Sequence, residues 1–151
     1  MFPRWGCKRF MPAKTYEILA RTSDRTDALD LTDRVRERLV ESGVRDGLVV
    51  VFVPGSTAGV TTIEYEEGAL RDLIRAIEAL APEQKAYDHD RRWGDGNGYA
   101  HVRAALLKPS LAIPVVHGRL SLGDWQQIVL LDFDNRPRER RVLVQVLGED
   151  A

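Results

Sequence analysis

Four short apolar runs crowd into the last third of the sequence and constrain its fold more than any other feature. Leu111–Val116, Arg119–Leu122, Gln127–Phe133 and Arg138–Leu147 are rich in β-branched and aliphatic residues, and Gly118, Gly123, Asn135 and Pro137 stand between them. Runs of this length punctuated by turn formers read as strands joined by turns. Helical patterns lie earlier. Thr32 suits an N-cap, Val35, Leu39 and Val40 follow at helical spacing, and Gly43 suits a left-handed stop, so residues 33–42 read as a helix. Leu70, Leu73, Ile74, Ile77 and Leu80 trace the apolar face of a second helix, expected to pack on the sheet, with Glu66 and Glu67 at its positive end and Pro82 just past its last turn. Tyr99–Leu107, opened by Asn97, reads as a third. Strands gathered at the end, with helices interspersed before them, imply one α+β domain with a mixed or antiparallel sheet and about three helices.

Two further strands precede the second helix. Leu48–Val53, bounded by Gly47 and Pro54-Gly55, is a continuous apolar run suited to a strand buried on both faces, and Gly59–Glu64 follows after a tight turn. Lys14–Thr22 has the mixed character of a half-buried strand. From Ala81 to Gly98 the chain is polar and aperiodic, with glycines at 94, 96 and 98, and reads as a long loop of the functional or disordered kind.

Bulk properties exclude several classes of function. At 151 residues and 44% hydrophobic content, a core can form without disulfides or a structural metal. The net charge of -1 provides no field for nucleic acid or an anionic membrane, and no segment approaches the length of a membrane span. Cys7 is the only cysteine, which fits a reducing, cytoplasmic setting. Residues 1–11 read as an N-terminal extension, poorly ordered or upstream of the true start at Met11, with the domain over 12–151.

Few residues can carry chemistry. Glu64, His89 and His101 form a minimal open donor set for a divalent metal such as zinc or magnesium, and the same three can act as catalytic acids or bases. Their spacing alone is too wide to be a motif, and two loop-capping histidines beside a solvated glutamate is the alternative. Gly55-Ser56-Thr57-Ala58-Gly59 has small residues and hydroxyls whose backbone N–H groups can cradle a phosphate, although a plain β-turn reads equally well. Arg119, Arg136, Arg138 and Arg140 can fork onto phosphate oxygens or line a solvated salt-bridge face. Trp125 and Gln126 offer an aromatic face and an amide to a flat heterocycle, or a buried indole with a polar neighbour. Asp95 and Asn97 shape the glycine-rich loop and can support a ligand, while His117 reads as a turn residue.

The block from Ser110 to Ile128, with Gly118, Gly123 and Trp125-Gln126, resembles the signature of the YjbQ-like family. The resemblance extends through Pro54–Glu64, Tyr87-Asp88-His89, Asp95–His101 and Phe133–Arg138, and covers Ala13 to Gly148. Two positions depart from it: Asp124 replaces a threonine, and Gly55 replaces a histidine able to serve as metal ligand or base. The resemblance implies a secondary thiamine-phosphate synthase activity, in which a pyrimidine pyrophosphate is joined to a thiazole phosphate, and a homotrimer. The barrel enzyme of that reaction is typically ~250 residues, so this chain is not a copy of it. A metal-dependent hydrolase or lyase and a non-catalytic small-ligand-binding trimer are the alternatives, all three taking a small, phosphorylated or related molecule rather than nucleic acid or membrane.

Overall fold

Alternating burial along the strands divides the chain into two antiparallel sheets packed around a shared core. The computed structural model describes residues 12–150, so the expectation for residues 1–11 lies outside the described residues. The elements run β1 (Ala13–Arg21), β2 (Asp27–Asp30), α1 (Thr32–Ser42), β3 (Val44–Phe52), β4 (Ala58–Ile63), α2 (Glu67–Leu80), α3 (Asp88–Trp93), α4 (Gly98–Leu107), β5 (Ser110–Val116), β6 (Arg119–Leu120), β7 (Gln127–Asp132) and β8 (Glu139–Asp150). The larger sheet has the order β1-β8-β3-β5-β6 and the smaller β2-β7-β4, with every pairing antiparallel. This is the α+β class read from the sequence, with four helices rather than about three among the described residues.

Two local expectations change. The apolar run at Leu48–Val53 is buried on one face only: Val49, Val51 and Val53 are fully enclosed, whereas Phe52 is 38% exposed. Its partner β8 is the second of five strands, paired with β1 on one side and β3 on the other. Val142, Val144 and Val146 of β8 point into the core, and on the opposite face Leu143 lies beside Phe52 in register. The α1 cap is supplied from one turn position earlier than read, because the Asp30 carboxylate accepts from Thr32 N at 2.8 Å and from Thr32 Oγ1 at 2.6 Å, while Thr32 Oγ1 itself accepts from Ile128 N. Gly43 ends α1 in the left-handed conformation, as read.

The core is largest between the sheets and α1, around Ile18, Leu31, Val35, Val49, Val51, Ile128 and Leu130. A second cluster joins α4 to the other side of the smaller sheet through Tyr99, Ala100, Ala104, Val129, Leu131 and Phe133, with Leu70, Leu73 and Ile77 of α2 packed against it. Arg103 lies inside this cluster at 2% exposure. Its guanidinium stacks over Tyr99, donates to Ala81 O at 2.9 Å and pairs with Glu78, so the end of α2 is tied to α4. Glu66 caps α2 by accepting from Gly68 N and Ala69 N, and those two backbone bonds hold its carboxyl below the usual carboxylate range. Among the described residues no helix is long and apolar enough to cross a membrane.

Candidate functional site

Period-two alternation decides which polar residues reach the interior. The inward positions of β8 continue from Val146, Val144 and Val142 to Arg140, and Asp132 and Asp134 stand two apart at the end of β7. The result is a buried ionic floor. Arg140, 8% exposed, donates from Nε to Asp132 Oδ2 and from Nη2 to Asp132 Oδ1, both at 2.7 Å, and from Nη2 to Thr57 Oγ1 at 2.7 Å. Thr22 Oγ1 donates to Asp132 Oδ2 at 2.8 Å. Arg138 donates to Asp134 Oδ2 at 2.6 Å, and Thr57 Oγ1 lies 3.2 Å from the same oxygen. Burial by itself would raise the Asp134 carboxyl, but hydrogen bonds led by Arg138 outweigh it and hold the group below its ordinary range.

Above this floor opens a cavity of about 370 Å³ lined by Gly55, Ser56, Thr57, His89, Trp93, Asp95, Asn97, His101, Arg136, Arg138 and Arg140. Its volume falls within the range of small-molecule sites. A second recess of about 250 Å³ shares Gly55, Ser56 and His101 and is otherwise walled by Ala58, Ala104, Ala105 and Pro109. The chain thus offers a charged chamber beside an apolar one.

The loop and helices on the far wall bring the imidazoles together. α3 carries His89 and the start of α4 carries His101, with ring centroids 4.2 Å apart and planes tilted by 37°. Gly98 N donates to Asp90 Oδ1 at 2.8 Å, which fixes α3 against the first turn of α4. His89 Nδ1 is buried without a hydrogen-bond partner, although Asp95 Oδ1 is 3.3 Å away and Asp90 Oδ1 3.6 Å away. Donor atoms of His89, Asp90 and Asp95 all lie within 4.8 Å of one another. Asn97 sits between Asp95 and Asp134: its amide nitrogen either donates to Asp134 at 3.4 Å or, turned over, to both Asp95 oxygens at 3.2 and 3.3 Å.

That donor set fits a divalent cation. A cation held there, at the usual bond lengths of ~2.0–2.2 Å, would give the unpartnered imidazole nitrogen a partner and balance the two carboxylates. One imidazole with two carboxylates suits zinc and, through the oxygens, magnesium.

Several sequence-level site residues lie elsewhere. Glu64 does not join the histidines, because β4 is extended and carries it about 20 Å from Thr57 at ~3.3 Å per residue. Asp90 and Asp95 stand where it was expected. Trp125 and Gln126 are at that same remote end, where Gln126 Nε2 donates to Thr62 Oγ1 at 3.0 Å and Trp125 is 74% exposed rather than buried. Gly55–Gly59 and His101 therefore share no cleft with Trp125-Gln126 within one chain. Arg119 lies on β6 facing α1, among Arg36, Leu39 and Val40. His117 occupies a turn with φ of 51°, as read. Gly55, Ser56, Thr57, Asn97, His89 and His101 share the one cavity. Sequence reading missed Trp93 and Asp90 as site residues, and it missed the Asp132–Asp134 floor. Trp93 lay in a stretch without period, but the inward step from Val142 to Arg140 was legible as alternation.

Comparison with known proteins agrees with this arrangement of elements. Residues 16–149 match the family model described as UPF0047 protein YjbQ-like. A UPF0047 protein of Archaeoglobus fulgidus is 46% identical over 131 residues, spanning 87% of this chain and 99% of the relative, and the YugU protein of Bacillus subtilis is 32% identical over 136 residues, spanning 89% and 98%. A solved structure from Sulfolobus solfataricus, described as a protein of unknown function, superposes with a TM-score of 0.88 at 31% identity, covering 93% of this chain and all of the other. A hypothetical protein from Aeropyrum pernix gives 0.83 at 37% identity, covering 90% of this chain and 99% of the other. With sequence, family model and fold in agreement over nearly its whole described length, the chain belongs to the YjbQ-like UPF0047 family.

Proposed function

We propose that this chain is an enzyme that binds a phosphorylated small molecule together with a divalent cation in the His89–His101 cavity. The reaction to test first is the joining of a pyrimidine pyrophosphate to a thiazole phosphate, the chemistry that the family resemblance implies. The observation that carries the reading is the unpartnered Nδ1 of His89, facing two carboxylates in a chamber whose floor holds arginines. Zinc or magnesium held there would offset negative charge building on a departing pyrophosphate.

The residues divide the work by chemistry. His89, Asp90 and Asp95 supply the donor set, and Asn97 orients Asp95 when its amide is turned that way. Arg136 and Arg138 reach phosphate oxygens from the floor, and the small residues Gly55 and Ser56 leave backbone N–H groups accessible. His101, in ring contact with His89, takes or gives a proton at the reacting group. The recess lined by Ala58, Ala104, Ala105 and Pro109 receives the apolar part of the substrate. A metal-dependent hydrolase or lyase would use the same groups with water or an internal proton as the second reactant. A chain with one cysteine suits the reducing cytoplasm for this work.

Pyrophosphate release on mixing the two thiamine precursors with magnesium or zinc tests the reading, with loss in His89→Ala and retention in Glu64→Ala. Binding of the precursors without turnover would favour the second reading, a non-catalytic ligand-binding trimer. One observation speaks for that self-association: the outer face of the larger sheet carries Leu19, Phe52 and Val116 at 51%, 38% and 48% exposure, beside Val50 and Leu143. Light scattering giving a trimer mass supports it, and a monomer mass at micromolar concentration refutes it.

A further inference from the structure

Arg140 is an arginine with a job half done. Its Nε and Nη2 are fully engaged by Asp132 and Thr57, yet Nη1 makes no hydrogen bond to any described residue. A buried ion pair is weak evidence for stability, since removing two charges from water costs about as much as their attraction returns. A guanidinium locked along one edge and left open along the other is instead organised to bind something, because the fork is held in place before the ligand arrives.

Gly55 controls access to that open edge. It lies at φ 125°, a conformation that L side chains rarely adopt, and a Cβ built there would stand 3.1 Å from Arg140 Nη1. Any larger side chain at this position would sit between the guanidinium and the cavity. Arg138 adds a second cation on the same floor, likewise gripped by a carboxylate, Asp134, at 2.6 Å. Asp132 and Asp134 are only 1% exposed and each is paired with a guanidinium, whereas Arg136 is exposed at the rim and adds a third guanidinium to the same cavity.

We propose that Arg140 Nη1, reached through the opening at Gly55, is the anion subsite of this chain, and that it takes a terminal phosphoryl group with Arg138 as the second cation. Asp132 and Asp134 are positioning residues that fix the two forks. The subsite lies on the floor, apart from the His89 donor set, so it binds phosphoryl oxygens without a cation. This rests on the cavity reading above and assigns its anion-binding end. A terminal phosphoryl group has three oxygens against a carboxylate's two, so it can accept from Arg140 Nη1 and from Arg138 and keep a third oxygen for solvent or a cation.

The test is a titration of the wild-type protein with inorganic pyrophosphate, and separately with inorganic phosphate, in excess EDTA, followed by calorimetry and by the side-chain ¹⁵N resonances of the arginines. The expected result is saturable binding of at least pyrophosphate with a shift of the Arg140 resonances. Gly55→Ala is expected to weaken it at least tenfold, and Arg138→Gln at least threefold, with folding checked by circular dichroism. Binding of both anions with equal affinity would assign the subsite to free phosphate, and a preference for pyrophosphate would assign it to a diphosphate ester. Binding in the wild type with unmoved Arg140 resonances overturns the subsite and leaves the cavity reading standing. Absence of binding with EDTA, but binding with added magnesium, also overturns it. Absence of binding under both conditions removes the cavity reading as well.

Discussion

The two ends of the smaller sheet are made from the same three strands and behave as opposites. At the end where β4 begins and β7 finishes, Ala58 pairs with Asp132, and carboxylates, guanidiniums and imidazoles gather around a cavity. At the other end, Ile63 pairs with Gln127, and the glutamine contacts are neutral: Gln126 bonds Thr62 and Gly123, and Gln127 Oε1 accepts from Tyr65 N, while the Asp30 carboxylate there is engaged by the neutral Thr32. Buried charge is concentrated beside the cavity, and solvated amides close the opposite end. The lesson is that a sequence signature and the charged cavity of a single chain need not coincide, because Trp125-Gln126, the most distinctive pair in the sequence, stands at the opposite end.

The largest expected difference between the ends is in stability. Asp132→Ala leaves Arg140 without its bidentate partner and is expected to destabilise the fold by about 3–5 kcal/mol, the usual result of stranding a buried charge. Urea unfolding measures it, and a loss as small as that at the neutral end would erase the contrast. Metal comes next. Zinc or magnesium at a hundred times its dissociation constant should stabilise the wild type by about 2.7 kcal/mol, seen as a rise in Tm. His89→Ala should abolish that rise and Glu64→Ala should keep it; the reverse pattern would move the donor set to the neutral end.

Asp134 sharpens the comparison through pH. Its folded carboxyl lies below the ordinary range, so its contribution is present in full above the unfolded value of about 4 and is lost as pH falls through the lowered folded value. Asp134→Asn is expected to lower stability by about 1.5–3 kcal/mol at pH 7, where charged hydrogen bonds are lost, and by less near pH 3. Unfolding midpoints at the two values decide it. The smallest effect is at the neutral end, where Gln126→Ala should cost about 0.5–1.5 kcal/mol for its two side-chain hydrogen bonds, with no change in metal binding.

What could be read in the sequence was whatever announces itself by period or punctuation. Gly43 stopped α1, the Leu70–Leu80 stripe marked α2, and the turn glycines separated the last strands. β2 escaped because Asp27-Ala28-Leu29-Asp30 is four residues with a charge at each end, and it becomes a strand only by pairing with β7. α3 escaped because Asp88–Trp93 is short and charged throughout, with no apolar face to trace. Glu64 was grouped with the histidines because it ends the strand that precedes their loop. The extended β4 carries Glu64 away from the Thr57 end of the strand, whereas His89 and His101, twelve apart, are folded back into contact by α3 and α4.

α2 has no fully buried residue, and Arg103 and its half-buried stripe hold it to the rest of the domain. A helix fastened so lightly belongs to the low end of local opening free energies, and its amides should exchange with solvent well before those of β7 or β8. Each such opening frees Glu78 and Ala81 O from Arg103, and the segment between Pro82 and His89 is anchored to that same helix end. Tyr87 Oη, which donates to Pro82 O, then becomes the remaining clasp on the wall that carries His89. Opening of α2 would thus loosen the histidine side of the cavity before the arginine floor, an order that residue-resolved hydrogen exchange reads directly.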